Sequence, residues 1–329
     1  MRKINNVPVE AHTDLSSLTG GEVLKWDADN TMMVWELQDG TTFVPIVWYG
    51  DRGVFTGGAA LNGTMDYITF SSPSNATDFG DMTTNRYTGD SCSNGSRGVN
   101  AGGSDSPWNN VNTMDYITFA STSNATDFGD LSVARNFNGA CSDGTKGVWG
   151  GGNNLGSVNT IDYVTISVTG NATDFGNLTN SRNTVGGLAN ATRGVFSGGN
   201  PAENVMDYIT IATTGNATDF GNLTHAKNGV QGCSSETRGL FNGYPQGSNN
   251  DVGVDYITIQ TTGNATDFGD LTNDYSCAST SDVVTAVFAG SNTGDNTIIS
   301  KVTIATTGNG TDFGDLTVGR TQNSGMSGD

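Results

Sequence analysis

Residues 171–178 read Asn-Ala-Thr-Asp-Phe-Gly-Asn-Leu, and the centre of this stretch, Thr-Asp-Phe-Gly, occurs six times in the 329-residue chain. Its Asp stands at positions 78, 127, 174, 219, 267 and 312, so successive copies lie 49, 47, 45, 48 and 45 residues apart. Repeats of about 40 to 50 residues are typical of β-propeller blades. The spacing predicts a propeller over residues 51–329, preceded by a short segment over residues 1–50.

Each repeat divides into four short β runs separated by clusters of Gly, Asn and Ser, as in an antiparallel meander. We name the strands a to d from the inside of a blade outward, and in one copy predict them at residues 135–141, 146–152, 161–166 and 172–178. The first copy begins at a strand b, whereas the last ends on a strand a over residues 318–326. We therefore predict an all-β, six-bladed propeller that the C-terminal strand closes, which removes exposed sheet edges.

The order of residues within a copy is also informative. A basic residue and a Gly pair on strand b precede a Tyr on strand c, at positions 67, 116, 163, 208 and 256. The motif Phe and a Leu or Met follow on strand d, and eight residues after each motif Asp come Arg86, Arg135, Arg182, Lys227, Tyr275 and Arg320. This order resembles the kelch repeat. The resemblance implies four-stranded blades arranged around an axis.

Composition excludes several classes of function. The chain has 14 Lys and Arg against 33 Asp and Glu, a net charge of −19, which argues against a nucleic-acid partner. No stretch of about 18 apolar residues could span a membrane, and the first ten residues lack the apolar core of a signal peptide. With only His12 and His225 and no nucleophile motif, we predict that the protein is not an enzyme.

The four cysteines follow the repeat. Cys92, Cys141 and Cys233 each stand 14 residues after their motif Asp, where the third repeat has Leu188, and Cys277 falls near the same place. A position shared with Leu favours small buried packing residues over disulfides or a metal site.

Two other repeated features have competing interpretations. Three residues after the motif Asp stand Asp81, Asp130, Asn177, Asn222, Asp270 and Asp315. Such oxygen-rich turns could hold calcium, while hydrogen bonds to nearby backbone N–H groups are the alternative; no other cofactor is predicted. Asn-X-Thr sequons recur at Asn75, Asn124, Asn171, Asn216 and Asn264, and we interpret them as turn residues rather than glycan sites.

Variation between the repeats indicates where binding could occur. The c–d turns hardly change, whereas the b–c turns differ in length and content, and variable turns on one face are typical of a binding surface. The predicted binding residues are Trp108, Asn109, Asn110, Tyr244, Asn249 and Asn250. Aromatic and amide side chains of this kind stack on and hydrogen-bond to sugars or proteins. The alternative is that they cover neighbouring blade edges or another subunit.

Residues 1–50 differ in character and contain Trp26, Trp35 and Trp48. The stretch over residues 14–27 resembles the leader segments of phage tail-fibre proteins, and the Asp-Tyr-Ile-Thr-Ile and Asn-Ala-Thr-Asp-Phe-Gly phrases resemble repeats of structural proteins from marine bacteriophages. The resemblance implies a virion protein, a tail fibre or decoration module attached to other virion proteins through residues 1–50. It implies oligomers in the particle and a host-surface glycan or protein as partner. The alternative is a bacterial carbohydrate-binding adhesin.

Overall fold

The computed structural model describes residues 3–4, 7–8, 22–27, 32–37, 50–58, 63–105, 109–245, 253–272, 278–291 and 297–328. Two compact parts make up the chain, Met1–Ile46 and Val47–Asp329. Every regular element among the described residues is a β-strand, which confirms the all-β prediction.

The N-terminal part contains two hairpins. Strand β1 (Lys3–Ile4) pairs with β2 (Val7–Pro8), and β3 (Glu22–Asp27) pairs with β4 (Met32–Leu37), both antiparallel. Along the second hairpin Trp26 is opposite Met33 and Trp35 is opposite Leu24. Trp48 lies outside the described residues. The role of this part in attachment stays a prediction.

The remaining strands form the sheets of a β-propeller. They are β5 (Arg52–Thr56), β6 (Thr64–Thr69), β7 (Thr77–Asp81), β8 (Asp90–Ser93), β9 (Arg97–Ala101), β10 (Ser104–Asp105), β11 (Asn109–Asn110), β12 (Thr113–Thr118), β13 (Thr126–Asp130), β14 (Gly139–Ser142), β15 (Lys146–Gly150), β16 (Thr160–Thr165), β17 (Thr173–Asn177), β18 (Gly186–Ala189), β19 (Arg193–Ser197), β20 (Glu203–Thr210), β21 (Thr218–Ser234), β22 (Arg238–Pro245), β23 (Gly253–Thr258), β24 (Thr266–Asp270), β25 (Ala278–Ser281), β26 (Thr285–Ala289), β27 (Ile298–Thr303), β28 (Thr311–Asp315) and β29 (Ser324–Gly328).

We number the repeats 1 to 6 by their sheets. Repeat 1 has the strand order β29-β5-β6-β7, repeat 2 β8-β9-β12-β13, repeat 3 β14-β15-β16-β17 and repeat 6 β25-β26-β27-β28. Repeats 4 and 5 share one seven-stranded sheet, β18 to β24, because β21 serves both as the outer strand of repeat 4 and as the inner strand of repeat 5. The structure therefore has four separate four-stranded blades where the sequence predicted six, and no sheet of the described residues closes on itself.

The strand bounds agree with the sequence prediction for strands b, c and d of the repeat over residues 135–178 and differ for strand a. Strand a is β14, which begins at Gly139 rather than at Arg135. Phe137 adopts a φ of 55°, in the left-handed region, and this interrupts extended backbone before Gly139. Arg135 to Asn138 therefore lie outside strand a, and the Arg135 side chain is buried.

The hydrophobic core lies between neighbouring repeats rather than inside single sheets. One cluster joins Phe128 and Leu131 of repeat 2 to Trp149 and Val164 of repeat 3, and five similar clusters join the other neighbouring pairs, repeats 6 and 1 included. Burying each motif Phe contributes about 1.5 to 3 kcal/mol. In each cluster a motif Phe packs between neighbouring repeats.

Three cysteines have the packing role that the sequence predicted. Cys92, Cys141 and Cys233 are free thiols, each about 5% exposed, and each belongs to a core cluster. Burial raises the pKa of the Cys233 thiol to about 12, so it stays protonated at neutral pH. Cys277 lies outside the described residues.

The C-terminal strand lies in the first sheet. Strand β29 pairs antiparallel with β5, with Ser324 opposite Thr56 and Gly328 opposite Arg52. The last described strand of the chain is thus the innermost strand of repeat 1.

Candidate functional site

The c–d turns are engaged in contacts between neighbouring repeats. In each turn an Asn side-chain oxygen accepts a hydrogen bond of 3.1 Å from a backbone N–H at the end of strand d of the preceding repeat. The pairs are Asn75 with Asp315, Asn124 with Asp81, Asn171 with Asp130, Asn216 with Asn177, Asn264 with Asn222, and Asn309 with Asp270. The sequon Asn residues therefore hold adjacent repeats together, beyond the local turn role that the sequence predicted.

The motif Gly is required by the same contact. Gly176 has a φ of 148°, and a Cβ atom there would lie 2.3 Å from the carbonyl oxygen of Gly215 in the next repeat. At each of the other five motif glycines, a Cβ atom would lie 2.3 to 2.6 Å from the equivalent carbonyl oxygen. All six motif Asp residues are exposed on the outer strand. An Asp on an exposed edge strand discourages pairing with another chain.

Most pairs of neighbouring repeats are joined by a buried ion pair near the b–c turns. Between repeats 2 and 3, Arg135 Nη1 lies 2.8 Å from the carboxylate of Asp162, and Ser132 Oγ donates to the same carboxylate at 2.7 Å. Arg135 and Asp162 are fully buried. Burial lowers the pKa of Arg135, and the attraction of Asp162 opposes that change. The equivalent pairs are Arg86 with Asp115, Arg182 with Asp207, Lys227 with Asp255, and Arg320 with Asp66.

On the opposite side of the propeller, basic residues on strand b contact both their own repeat and the next one. Arg97 lies 4.2 Å from the ring centroid of Tyr116 and donates a hydrogen bond of 3.1 Å to the Ile166 carbonyl of the next repeat. Arg52, Lys146, Arg193 and Arg238 make the same pair of contacts. The side that carries the a–b and c–d turns is thus largely committed to holding the repeats together.

Three of the residues that the sequence predicted to bind a ligand, Asn109, Asn110 and Tyr244, are described, and they lie on the b–c side. Asn109 is exposed in β11, whereas Asn110 Nδ2 donates a hydrogen bond of 2.8 Å to the Asn153 carbonyl of the next repeat. Tyr244 is half-buried, and its ring covers Gly229, where a Cβ atom would lie 2.6 Å from Tyr244 Cε1.

Tyr244 belongs to repeat 5, whereas Asn109 and Asn110 belong to repeat 2. Trp108, Asn249 and Asn250 lie outside the described residues. Ligand binding by this set stays a prediction.

Leu155, which the sequence did not single out, is the most exposed large apolar residue on the described part of the b–c side. Its side chain is 102% exposed and its φ is 57°, a conformation that bulky residues rarely adopt. The loop is held in place around it: Gly156 N–H donates to Asn153 Oδ1 at 2.8 Å and Ser157 Oγ donates to the Asn200 carbonyl at 3.3 Å. The fold therefore presents an apolar side chain to solvent on a constrained loop. A Leu between Asn and Gly in a variable turn was the available signal in the sequence.

Four more non-glycine residues with positive φ lie in the segments that lead into strand a. They are Thr88, Phe137, Thr184 and Gln322, with φ between 55° and 63°. Their backbones form a chain: the Thr88 N–H donates to the Gln322 carbonyl at 3.0 Å, and Phe137 and Thr184 each donate to the preceding member at 2.7 Å. Strained backbone of this kind concentrates at functional sites.

An axial cavity of about 90 Å³ lies among the innermost strands of all six repeats. Serine side chains and glycine backbone line it, together with Cys92, Cys141 and Cys233. The lining serines Ser93, Ser142 and Ser234 each stand one residue after a cysteine, a pattern that is present in the sequence.

Asp90, next to the lining residue Ser91, is a buried carboxylate without a cationic partner among the described residues. Burial raises the pKa of Asp90 to about 7, and hydrogen bonds from the backbone N–H groups of Ser91 and Ala140 oppose the rise. The other buried aspartates among the described residues are Asp66, Asp115, Asp162, Asp207 and Asp255, and each pairs with Arg or Lys.

The described residues contain no group of three or more His, Cys, Asp or Glu side chains placed to hold a metal ion. In the turns considered for calcium, Asp81 and Asp130 donate their backbone N–H groups to Asn oxygens. Within the described part of the chain, no helix has the length and apolar character to cross a membrane. Comparison with protein-family models gave no match, and neither did comparison with curated proteins.

Proposed function

We propose that this protein is a structural protein of a phage virion, a tail fibre or surface decoration module, that displays a propeller for binding to a host surface or to another virion protein. One observation carries the binding role: Leu155 is fully exposed, in a left-handed conformation, on a loop fixed by hydrogen bonds. The virion assignment rests on the resemblance of the repeat and of residues 14–27 to phage structural proteins.

The contrast between the two sides of the propeller supports binding through the b–c turns. The c–d turns repeat one hydrogen bond six times, so their side-chain amides have a structural task. The b–c turns differ from one another, and Asn109 and Leu155 remain exposed there. Exposed apolar and amide groups on one face suit a protein or glycan partner.

The propeller in this proposal is a kelch-like ring of six blades that β29 closes. Three features support six blades: the seven-stranded sheet contains two copies of the Thr-Asp-Phe-Gly motif, six core clusters lie between neighbouring repeats, and the Asn contact occurs six times. The pairing of β29 with β5 and the hydrogen bond between Asn75 and Asp315 support closure. Residues 1–50 would then attach the ring to the particle.

Mass spectrometry of purified phage particles tests the virion assignment. We expect peptides of this chain in particles that band at the virion density. Their absence would contradict the assignment, and glycan binding by a chain absent from particles would favour the adhesin alternative.

Binding to bacterial cells and to a glycan array tests the binding face. We expect Leu155→Asp, and Trp108→Ala combined with Tyr244→Ala, to reduce binding at least tenfold. Val168→Asp is the matched control, because Val168 is 63% exposed on the c–d side. Equal losses from Leu155→Asp and Val168→Asp would contradict binding through the b–c face.

A further inference from the structure

Serine hydroxyl groups form a belt around the axial cavity. Each hydroxyl donates to a carbonyl of the preceding repeat, at distances of 2.6 to 2.8 Å. The donors and acceptors are Ser93 to Ser327, Ser142 to Ser93, Ser234 to Ala189, Ser281 to Ser234 and Ser327 to Ser281. A hydroxyl has one proton and two lone pairs. The belt has therefore committed its protons and retains acceptor lone pairs, although Ser142 Oγ and Ser281 Oγ each also accept one backbone N–H hydrogen bond.

Ala189 interrupts the belt. It occupies in repeat 4 the position that Ser142 and Ser234 occupy in the neighbouring repeats, and all three residues line the cavity. No hydroxyl at this position can donate to the Ser142 carbonyl. Repeat 4 therefore lacks the hydroxyl oxygen that its two neighbouring repeats have at this position.

One further polar group lies beside the cavity. Ser279 is a lining residue whose Oγ is shielded from solvent and has no nitrogen or oxygen partner; its polar neighbour is the Cys233 thiol. A chain with a net charge of −19 also concentrates cations around itself.

We propose that the axial cavity binds an alkali-metal cation, Na⁺ or K⁺, together with part of its water shell. The cavity of about 90 Å³ has room for several water molecules, and its wall offers hydroxyl acceptors whose protons are directed away into carbonyl groups. Hard divalent ions favour sites where carboxylates coordinate directly, and the lining contains none. A hydrated monovalent cation fits the neutral oxygen wall better.

Thermal unfolding of the full chain in three chloride salts at the same ionic strength tests the proposal. The cations are Na⁺, K⁺ and N-methyl-D-glucamine, which is too large for the cavity. We expect Na⁺ or K⁺ to raise Tm by about 2 to 4 °C over the organic cation, as a ligand near ten times its Kd would do. Equal Tm values in the three salts would overturn the proposal and leave a cavity that holds water only.

Two variants locate the effect. Ala189→Ser completes the belt and should enlarge the Tm difference between the salts, whereas Ser281→Ala should reduce it. Ala212→Ser, at an exposed position outside the cavity, is the matched control and should leave the difference unchanged. An equal response of Ala189→Ser and Ala212→Ser would contradict binding in the cavity.

A spectroscopic measurement keeps the test independent of variant stability. The parent protein should broaden the ²³Na resonance, and added K⁺ should reverse the broadening by competition. An unbroadened signal, or broadening that K⁺ and N-methyl-D-glucamine reverse equally, would assign the effect to the surface charge and overturn the proposal.

Discussion

The junction between repeats 2 and 3 and the junction between repeats 5 and 6 occupy equivalent places but contain different groups. The first holds Ser132 and Arg135 against the buried carboxylate of Asp162. The second holds Thr272 against Ser300, so that two hydroxyls meet where the other junction has an ion pair. Tyr275, at the position equivalent to Arg135, lies outside the described residues.

This difference shows which part of the junction the fold requires. Both junctions keep a hydroxyl at the end of strand d, bonded to the polar residue on strand c of the next repeat. At the positions of Arg135 and Asp162 the sixth repeat has Tyr275 and Ser300, so the sequence replaces the cation and the carboxylate together. Removing one member of a buried pair costs far more than replacing both.

The largest effect is expected where a junction is removed outright. Deleting residues 316–329 takes away β29 and the Arg320–Asp66 ion pair, and leaves the carboxylate of Asp66 buried without its cation. We expect aggregation or loss of cooperative unfolding, measured by circular dichroism during heating. A truncated chain with the melting curve of the parent would contradict the role of β29 in joining repeats 6 and 1.

Removing one member of an ion pair should lower the free energy of unfolding less than deleting a whole junction. Arg135→Met leaves Asp162 buried and unpaired, and we expect the free energy of unfolding to fall by about 3 to 5 kcal/mol, measured by urea denaturation. The double variant Arg135→Met with Asp162→Ser copies the junction of Thr272 and Ser300 and should recover more than half of the loss. A double variant as unstable as the single one would show that the two junctions are not interchangeable.

Asp90 extends the comparison to a buried carboxyl group that has no cationic partner in the described part of the chain. Burial raises the pKa of Asp90 to about 7 in the folded state. Its contribution to stability is therefore fully present below the unfolded pKa near 4 and is lost as the pH rises through 7. We expect the parent to lose about 2 to 3 kcal/mol more than Asp90→Asn between pH 5 and pH 8. Cys92 and Cys141 stay protonated over this range because burial raises the pKa of both thiols.

Urea denaturation at a series of pH values checks this prediction. Parallel curves of unfolding free energy against pH for the parent and Asp90→Asn would show that Asp90 is already ionised in the folded protein at pH 5.

Removing an Asn of a c–d turn should have the smallest effect on stability, and the effect should be the same at both junctions. Asn171 and Asn309 each accept one exposed hydrogen bond of 3.1 Å from the preceding repeat. Asn171→Ala and Asn309→Ala should each lower the free energy of unfolding by about 1 kcal/mol. Asn180→Ala, at an exposed position outside the c–d turns, serves as the control and should stay within about 0.5 kcal/mol of the parent. A loss confined to Asn171→Ala would contradict the equivalence of the six c–d contacts.

The repeat made much of the fold predictable. The spacing of the motif located the propeller, and β-branched and aromatic residues located strand c, which the structure has at Thr160–Thr165 in repeat 3. The early part of strand a was mispredicted, because the left-handed φ of Phe137 is not visible in residue type. The seven-stranded sheet was also unexpected. It depends on an extension of the β21–β22 pairing, in which Lys227 is opposite Pro245 and Asn228 is opposite Tyr244.

The candidate site was less predictable than the fold. Binding through the varying b–c turns stays a prediction, and the exposure of Leu155 depends on a backbone conformation that its neighbours fix. The serine belt follows from hydroxyl directions around the axis, which depend on how the repeats are placed side by side. Local sequence carries little information about either feature.

Hydrogen-exchange mass spectrometry of the full chain tests most directly the central claim, that six repeats form a ring closed by β29. We expect the amides of Ser324–Gly328 to be protected as strongly as those of Gly139–Ser142, and to exchange only when the whole propeller unfolds. Exchange of Ser324–Gly328 within seconds, while Gly139–Ser142 stays protected, would contradict closure of the ring.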